Sequence, residues 1–329
     1  MTDAMPQART WQLLNILADG EFHSGEALAH RLGVSRASIF IALADVGEYG
    51  VELQRIRGRG YRLVHPWQQL DPDEVLRCLG KDAGQFRIEV LPQAASSNTL
   101  LMQQAARGAP SGSVLAVELQ TAGRGRLGRS WYAGLGTALM FSLLWRFERG
   151  LNALSGLSLA VGVAIVRTLH KVGAQGVHLK WPNDVVTAQG KLAGVLIEAQ
   201  GDMLGPSAVV IGVGLNCFLP VALVQKIDQR VVALEDVCPE PPTRNELLAD
   251  LLQELAGVLQ QFAQHGFAAL RAEWEEYHFY QNQPVQLRLA DGGVVSGIAR
   301  GVSDSGELCL ETDVGMRHCN SGEVMGWAR

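Results

Sequence analysis

A short segment rich in glycine and arginine, residues 120–131, carries the clearest chemical pattern in the sequence. It reads Gln-Thr-Ala-Gly-Arg-Gly-Arg-Leu-Gly-Arg-Ser-Trp and places Arg124, Arg126 and Arg129 among three glycines. Glycine lets backbone N–H groups approach oxygen atoms closely, and guanidinium groups bind carboxylates and phosphates through two parallel hydrogen bonds. The segment therefore predicts a loop that wraps an anion.

The glycines of this loop, Gly123, Gly125 and Gly128, also match the G-x-G-x-x-G pattern of dinucleotide-binding proteins. That pattern requires a helix directly after the loop, because the helix N-terminus holds the pyrophosphate. Here Gly134-Leu-Gly is followed by a predicted strand at Thr137–Arg146. We therefore reject a Rossmann-type oxidoreductase.

Three later segments combine charged or amide side chains with the ends of predicted strands. Lys180-Trp-Pro-Asn-Asp184 follows a strand at Val177–Leu179 and offers a lysine, an amide and a carboxylate to a phosphate or a metal. Lys191-Leu-Ala-Gly-Val-Leu-Ile-Glu198 opens a buried strand, and Gly212-Val-Gly-Leu-Asn216 closes another with glycines that admit a ligand to the backbone. Each segment also suits an ordinary turn or core strand, so both interpretations stay open.

The N-terminal part of the chain predicts three short helices and a basic hairpin. Ser24 and Ser35 stand where helix N-caps are needed, and Gly33-Val34 provides the tight turn between the second and third helices. Val51–Leu63 predicts a hairpin that carries four arginines and no acid between residues 54 and 62. This is the pattern of a winged helix, whose third helix enters a major groove while the wing contacts phosphates.

Candidate DNA contacts on this unit lie on the third helix and on the wing: Ser35, Arg36, Ser38, Arg55, Arg57 and Arg59. The third helix also carries Phe40, Ile41 and Ala42, which offer no hydrogen bond to a base edge. Protein binding or plain packing therefore remains an alternative to DNA binding for this unit.

The order of predicted elements indicates an α+β protein of three units. Residues 1–65 form the winged helix-turn-helix, residues 66–282 a central mixed α/β domain, and residues 283–329 a small SH3-like β-barrel. The central unit is predicted to contain strands at Arg87–Leu91, Val114–Leu119, Thr137–Arg146, Leu192–Glu198 and Val209–Leu215, and helices at about 98–107, 154–172, 244–264 and 267–277.

The composition excludes several classes of protein. With 47% hydrophobic and 19% charged residues the chain is globular, and its net charge of −5 disfavours non-specific nucleic-acid binding by the whole molecule. An odd set of five cysteines without a C-x-x-C pair predicts reduced thiols rather than disulfides or a zinc site. No apolar run reaches the roughly 20 residues that a bilayer requires. The start of the chain does not read as a signal sequence, so we expect a cytoplasmic protein without a membrane partner.

In their order along the chain, these motifs resemble those of bacterial biotin–protein ligases. The resemblance rests on Ser96-Ser-Asn-Thr99, residues 123–129, and the segments that begin at Lys180, Lys191 and Gly212. With the winged helix in front and the small barrel behind, it extends to the bifunctional form that is also the biotin operon repressor. It implies a central domain of the class II synthetase-like type. It also implies a two-step reaction, in which biotin and ATP give biotinyl-5′-adenylate and a carrier lysine then takes the biotinyl group.

The resemblance also implies roles for individual residues. Biotin contacts are implied for Ser96, Ser97, Asn98, Gln120, Arg124, Gly125, Arg126 and Lys180, and nucleotide contacts for Arg126, Asn183, Gly212, Gly214 and Asn216. Catalytic roles are implied for Arg124, Arg126, Lys180 and Asp184. Asp184 is the candidate for positioning a metal or for helping to deprotonate the incoming lysine. Because biotin's ring and valeryl chain are mostly hydrophobic, Trp131, Leu196 and Ile211 are candidates for an apolar wall around it, with plain core packing as an equal alternative.

The resemblance further implies ligands and partners. Biotin and ATP are the substrates, and Mg²⁺ is bound mainly through substrate phosphates, with no protein ligand identified. The implied partners are a biotin carboxyl carrier protein of acetyl-CoA carboxylase, biotin operator DNA and a second copy of the chain. The loop after Gln120 and residues 218–234 are expected to close over the adenylate and exclude water.

Two alternatives to a ligase stay open on the sequence. One is a transcription regulator that senses biotinyl-adenylate without ligase activity, which the complete set of Arg124, Arg126 and Lys180 disfavours. The other is a lipoyl ligase, which the glycine–arginine loop disfavours.

Overall fold

The computed structural model describes residues 8–65 and 67–325, and its N-terminal unit has three helices and a hairpin. The elements are α1 (Ala8–Leu17), α2 (Gly25–Leu32), α3 (Arg36–Ala42), β1 (Leu53–Ile56) and β2 (Gly60–Leu63). Ser24 and Ser35 cap α2 and α3 as predicted, and Gly33 ends α2 with a left-handed φ of 63°. A side chain larger than hydrogen is strained at that φ, which explains why glycine occupies the turn. The predicted winged helix-turn-helix is confirmed.

The central unit is built on a seven-stranded mixed sheet. Its strands are β3 (Arg87–Ala94), β4 (Ser113–Gln120), β5 (Ala138–Phe147), β6 (His178–Lys180), β7 (Asp184–Val186), β8 (Lys191–Gly201) and β9 (Ser207–Asn216). The order across the sheet is β3-β4-β5-β9-β8-β7-β6; β3 and β4 run parallel, and the other neighbours are antiparallel.

Helices cover both faces of this sheet. They are α4 (Pro72–Leu79), α5 (Ser97–Ala106), α6 (Leu157–Lys171), α7 (Val221–Val224), α8 (Arg244–His265) and α9 (Arg271–Tyr277). α6 and α8 share a large apolar core with Val209, Ile211 and Val213 of β9. Val210 lies on the opposite face, in the cluster that contains Leu101 of α5. Alternate residues of a strand point to opposite faces, so Gly212 and Gly214 lie on the α5 side of the sheet.

The C-terminal unit is a five-stranded antiparallel sheet. Its strands are β10 (Pro284–Arg288), β11 (Val294–Val302), β12 (Leu308–Thr312), β13 (Gly315–Cys319) and β14 (Glu323–Met325), in the order β13-β12-β11-β10-β14. The small antiparallel β domain of the prediction is confirmed. The predicted β stretch extends to Trp327, which lies outside the described residues, as do Met1–Gln7 and Pro66. The domain limits at 65, 282 and 329 stay predictions.

A backbone hydrogen bond joins the N-terminal and central units, and a buried ion pair within the central unit holds the segment that follows the winged helix. The Leu135 amide donates to the Tyr49 carbonyl oxygen at 2.8 Å. Farther along, the Arg244 guanidinium donates to the buried Glu118 carboxylate at 2.7 Å, and Glu118 also accepts the Leu70 amide at 2.6 Å. An ion pair this deeply buried requires such additional hydrogen bonds to offset desolvation. The connection between the winged helix and the central sheet is therefore held in place.

Within residues 8–65 and 67–325, no single helix is long and apolar enough to cross a membrane. Only α2 and the segment 36–49 pass that length and composition test when taken as a pair, and they are bent by 99°.

Candidate active site

The glycine–arginine loop follows β4 and folds back on itself. The Gly125 amide donates to the Arg129 carbonyl oxygen at 2.7 Å, and the Trp131 amide donates to the Gly123 carbonyl oxygen at 2.8 Å. A Cβ atom at Gly123 would lie 2.6 Å from the Trp131 carbonyl oxygen, so only glycine permits this close return. A strand, β5, is the next long regular element, which agrees with the rejection of a dinucleotide-binding loop.

A buried hydrogen-bond network occupies one end of the cleft beneath this loop. Ser96 caps α5, while the amide and hydroxyl of Ser97 donate to Gln120 Oε1 at 2.8 and 3.3 Å. The Ser142 hydroxyl lies between Ser97 Oγ at 2.7 Å and Asn98 Oδ1 at 2.5 Å. The sequence indicated Ser96, Ser97, Asn98 and Gln120 from this part of the cleft but not Ser142. Ser142 lies in a strand made mostly of apolar residues, so the sequence pattern gave no indication of a polar role.

Asn98 connects this network to the strand opposite. Its Nδ2 atom donates to the Leu196 carbonyl oxygen at 3.2 Å and to Glu198 Oε2 at 3.1 Å. The same carboxylate oxygen accepts a hydrogen bond from Arg124 at 2.5 Å. The sequence pattern includes Glu198 but indicates no role for it. In the structure it ties the glycine–arginine loop to the serine–asparagine end of the cleft.

Two glycines of β9 make room for side chains that line the cleft. A Cβ atom at Gly212 would lie 2.2 Å from Asn98 Oδ1, and one at Gly214 would lie 2.5 Å from Trp131 Cε2. These approaches explain why glycine alternates with larger residues at this end of the strand.

The predicted apolar wall is only partly present. Trp131 and Leu196 line the cleft. Ile211 does not, because the alternation of β9 points its fully buried side chain into the core with α6 and α8. Of the two interpretations of Ile211, the structure supports core packing.

Cations gather at the other end of the cleft. Arg126 Nη1 donates to Asn183 Oδ1 at 3.3 Å, and Asn183 Nδ2 donates to the Val195 carbonyl oxygen at 2.8 Å. Lys180 and Asp184 are opposite each other in the register of the antiparallel strands β6 and β7. The Asp184 carboxylate forms an ion pair with Lys191 at 2.6 Å. Lys191 lines the cleft, and the sequence pattern did not indicate its role.

Burial alters the titration of two of these cations. Desolvation lowers the pKa of Lys180 and the pKa of Arg126, and the nearby Asp184 carboxylate acts in the opposite direction on both. Partly desolvated cations attract an incoming phosphate or carboxylate more strongly than solvated ones do, since less water competes for them. This end of the cleft is suited to a polyanion.

The cleft as a whole contains about 1060 Å³ of empty space, part of it open to solvent. It brings together nearly all of the predicted catalytic and ligand-binding residues: Ser96, Ser97, Asn98, Gln120, Arg124, Gly125, Arg126, Lys180, Asn183, Asp184, Gly212 and Gly214. Asn216 is not among its lining residues. It is buried and donates to the carbonyl oxygens of Lys191 and Val232, both at 3.2 Å, so it supports the wall rather than facing a ligand.

The C-terminal sheet completes the cleft with Gly322 and Glu323. Gln229, from the segment 218–234 that is expected to close over a ligand, also lines it. Within the described residues, no group of three or more His, Cys, Asp or Glu side chains is arranged to hold a metal ion.

The predicted DNA contacts form a second group on the winged helix. Ser35 Oγ accepts the Ser38 amide at 3.1 Å and thereby caps α3, and Arg36 is exposed next to it. Arg57 is exposed near the tip of the wing. The Arg59 guanidinium lies over the Phe22 ring at 4.2 Å.

Arg55 has a different position from the other wing arginines. Its guanidinium donates to the Leu43 carbonyl oxygen at the end of α3 and lies 5.7 Å from the Phe40 ring centre. Its side chain is therefore engaged in holding α3 against the wing, which the sequence pattern did not distinguish from an arginine directed at DNA.

Comparison with known proteins gives three family matches along the chain. Residues 90–216 match the biotin/lipoate A/B protein ligase family, residues 281–325 the biotin protein ligase C-terminal domain, and residues 9–62 an HTH domain.

Similar relatives extend the likeness to nearly the whole chain. The bifunctional ligase/repressor BirA of Escherichia coli (strain K12) is 37% identical over 313 residues, which cover 95% of each protein. A biotin–[acetyl-CoA-carboxylase] ligase of Mycobacterium tuberculosis is 36% identical over 73% of this chain and 88% of that relative. The structure of the biotin protein ligase from Aquifex aeolicus in complex with biotin and ATP is 27% identical. It matches with a TM-score of 0.61 over 73% of this chain and 97% of that one.

Proposed function

The chain belongs to the biotin protein ligase family, in its bifunctional form with an N-terminal helix-turn-helix domain, and from this premise we propose how its cleft works. Biotin and ATP bind in the cleft and react to biotinyl-5′-adenylate and pyrophosphate. The biotinyl group then passes to a lysine of a biotin carboxyl carrier protein. The single observation that carries the proposal is the meeting of the Ser97–Asn98–Gln120 network with the desolvated cations Arg126 and Lys180 in one cleft.

The serine–asparagine end is the site we assign to the biotin head. Biotin's ureido group donates and accepts hydrogen bonds, and Ser97, Asn98 and Gln120 supply partners of both kinds. Trp131 and Leu196 supply apolar surface for the ring system and the valeryl chain. Because the polar groups are already held by one another, this end is organised before a ligand arrives.

The cationic end is the site we assign to the reacting groups. A carboxylate and a triphosphate repel each other, so the approach of the biotin carboxylate to the α-phosphate requires neutralising charge. We assign that role to Arg124, Arg126 and Lys180. Asn183 orients Arg126 and borders the nucleotide side. Gly212 and Gly214, for which the resemblance implies nucleotide contacts, lie instead against Asn98 and Trp131 of the biotin end.

Mg²⁺ enters this scheme with ATP as part of the substrate. The carboxylates that line the cleft are already paired, Asp184 with Lys191 and Glu323 with Arg129. Glu198, behind the lining, pairs with Arg124. This donor set fits an ion held mainly by phosphate oxygens, with Asp184 as the carboxylate that stands opposite Lys180 in the β6–β7 hairpin. The ion supplies further neutralisation of the triphosphate.

The decisive experiment is the intact mass of a biotin carboxyl carrier domain incubated with this protein, ATP, Mg²⁺ and biotin. We expect a biotin-sized increase on one lysine. Arg126→Ala and Lys180→Ala should each lower adenylate formation by at least about a hundredfold, because each removes charge that stabilises the transition state. Arg87→Ala, an exposed arginine of β3 outside the cleft, is the matched control. Tight binding of biotin and ATP without transfer would instead identify a sensor.

We further propose that the winged helix binds operator DNA and that the protein does so as a homodimer in the cytoplasm. Ser35, Arg36 and Ser38 stand at the start of α3, and the wing carries Arg57 and Arg59. A two-fold operator requires a two-fold protein. Sedimentation with and without biotin and ATP tests the dimer, and a mobility-shift titration tests the DNA.

A further inference from the structure

A second cavity, called the side cavity here, lies between the start of α6 and the C-terminal sheet. It contains about 1030 Å³ of empty space, part of it open to solvent, which is close to the 1060 Å³ of the cleft. Arg126, Trp181, Pro182 and Val195 line both spaces. These four residues are therefore the wall between the side cavity and the reacting end of the cleft.

The side cavity is formed by backbone that is held in position. Trp181 Nε1 donates to the Gly306 carbonyl oxygen at 3.0 Å, and the Ser158 hydroxyl donates to the Pro182 carbonyl oxygen at 3.1 Å. A Cβ atom at Gly306 would lie 2.7 Å from Gly156 Cα, so the C-terminal sheet approaches α6 as closely as glycine allows. The opening is thus a fixed feature of the junction between the two units.

The lining suits the side chain of a lysine. Leu159 and Ile197 offer apolar surface to an aliphatic stem, while Glu307 and Asn320 offer oxygen atoms to an ammonium group. Glu307 Oε2 also accepts hydrogen bonds from the Ser303 and Ser305 hydroxyls, both at 3.1 Å, which holds the carboxylate at the cavity.

The charges around the side cavity distinguish a lysine from a phosphate chain. The negative charge of Glu307 would repel a polyphosphate. The imidazole of His318 lies 4.0 Å from the Glu307 carboxylate. Arg126 stands at the inner end, on the side of the cleft. An approaching ammonium group therefore meets a carboxylate first and reaches the arginine only next to the anionic adenylate.

We propose that the side cavity is the entrance for the acceptor lysine of the carrier protein, an inference that rests on the proposed function. The lysine arrives as an ammonium ion and loses one proton to water before it attacks. Its nitrogen then forms a bond to the acyl carbon of biotinyl-5′-adenylate, and the bond between that carbon and the phosphate oxygen breaks. AMP leaves with the electron pair of that bond, and the nitrogen releases a second proton as the amide forms.

The test separates the two half-reactions. Hydroxylamine is a small nucleophile that captures the adenylate directly and does not need a path shaped for a protein side chain. Ser305→Trp places a large ring at the exposed rim of the side cavity. We expect hydroxylamine capture within about twofold of wild type and carrier biotinylation lowered by at least about tenfold. Ser296→Trp, at an exposed position of β11 outside the cavity, is the control and should leave both unchanged.

A second variant tests the charge without filling the space. Glu307→Gln keeps the shape and hydrogen-bonding capacity of the side chain, so the fold is retained. We expect KM for the carrier domain to rise by about threefold to tenfold, with adenylate formation unchanged. Glu311→Gln, on the same sheet but paired with Arg300 at an exposed position, should behave as wild type.

Three outcomes overturn the inference. Carrier biotinylation at the wild-type rate in Ser305→Trp shows that the lysine enters elsewhere. A parallel loss of adenylate formation in Ser305→Trp shows that the side cavity serves biotin or ATP. An unchanged carrier KM in Glu307→Gln shows that this carboxylate does not meet the lysine. A failure of the proposed function is distinct, because the wild-type protein would then form no adenylate for hydroxylamine to capture.

Discussion

Arg129 of the glycine–arginine loop and Glu323 of β14 form an ion pair through both arms of the guanidinium group. Arg129 Nη1 donates to Glu323 Oε1 at 2.7 Å, and Nη2 donates to Oε2. The hydrogen bonds between the two side chains stabilise the charged form of each, so they lower the pKa of Glu323 and raise the pKa of Arg129. The pair therefore fixes the loop against the C-terminal sheet at the edge of the cleft.

This relationship predicts a catalytic effect that is larger than the effect on stability. Glu323→Gln removes the charge but keeps the shape, so the loop loses its anchor. We expect adenylate formation to fall by about fivefold to tenfold, while the free energy of unfolding changes by less than about 1 kcal/mol, because partly exposed ion pairs contribute little. Pyrophosphate exchange and urea unfolding measure the two quantities. Equal exchange rates for Glu323→Gln and its control Glu311→Gln would contradict the prediction.

Local patterns explain which parts of this site were predictable. The glycine spacing of the loop identifies a close backbone return, and Ser24 and Ser35 identify helix starts from neighbouring residues alone. The role of Glu323 was not predictable, because Arg129 lies 194 residues away and the ion pair depends on how the C-terminal sheet docks. Long-range contacts of this kind leave no periodic signal in the sequence.

The position of a strand in the sequence was easier to predict than which of its side chains face the cleft and which face the core. The sequence predicts β9 nearly correctly, yet it leaves Ile211 undecided between the ligand and the core and gives no role to Ser142 of β5. Alternation places odd and even residues on opposite faces, but only the packed helices show which face is the core. The same limit applies to Asn216, whose side chain supports the wall instead of lining it.

Gly212 offers a test of the pocket that we assign to biotin. In Gly212→Ala the new methyl group would meet Asn98 Oδ1 at 2.2 Å, so the asparagine must move and its hydrogen bonds to Ser142 and Leu196 are disturbed. We expect biotin affinity to fall by at least about tenfold, the equivalent of removing one well-placed hydrogen bond. Isothermal titration with biotin measures the affinity.

A matched control for this substitution lies in α8. A Cβ atom at Gly257 would have no neighbour within 4 Å, and the position is helical. Gly257→Ala should stabilise the protein by about 0.5–1 kcal/mol and leave biotin binding unchanged. Wild-type affinity in Gly212→Ala would show that biotin does not depend on the position of Asn98.

Lys180 predicts a particular pH dependence of adenylate formation. Burial lowers the pKa of Lys180, so this ammonium group loses its proton at a lower pH than an exposed lysine. Because the reaction needs the charged form, the rate should decline on the alkaline side as the pH rises through that lowered pKa. Lys180→Arg keeps its charge to much higher pH, so its alkaline decline should shift upward even if its maximal rate is lower. Identical alkaline limbs in pyrophosphate exchange would exclude Lys180 as the titrating group.

The wing arginines predict the salt dependence of DNA binding. Arg57 and Arg59 lie exposed near the wing tip, whereas Arg55 is engaged with the end of α3. The double variant Arg57→Ala with Arg59→Ala should make the slope of log K against log salt shallower by about one for each phosphate that the wing no longer neutralises. Arg107→Ala, an exposed arginine after α5, should leave the slope unchanged. A slope equal to wild type in the double variant would place the wing away from the phosphates.

Arg55 should behave differently from these two arginines. Arg55→Ala removes the charged hydrogen-bond donor of the Leu43 carbonyl oxygen. We therefore expect the substitution to lower the free energy of unfolding of the winged helix by about 1–2 kcal/mol, measured by thermal unfolding. A fully stable variant with weakened DNA binding would instead make Arg55 a phosphate-binding residue.

His278 predicts how the protein responds to acid. Its ring is buried against Trp274, and desolvation lowers the pKa of His278 to about 4. In the unfolded chain a histidine titrates near 6.5, so between about 6.5 and 4 the unfolded state binds a proton that the folded state does not. Stability must therefore fall as the pH decreases through this range, and the contribution of His278 amounts to roughly 3 kcal/mol.

The variant His278→Phe keeps an aromatic ring beside Trp274 and removes the titrating group. Its unfolding free energy, measured in urea from pH 7 to pH 4, should decline less than that of the wild type by about the amount attributed to His278. His265→Gln changes an exposed histidine at the end of α8 and should follow the wild-type curve. Parallel curves for His278→Phe and the wild type would show that His278 is not the group whose protonation opposes folding in acid.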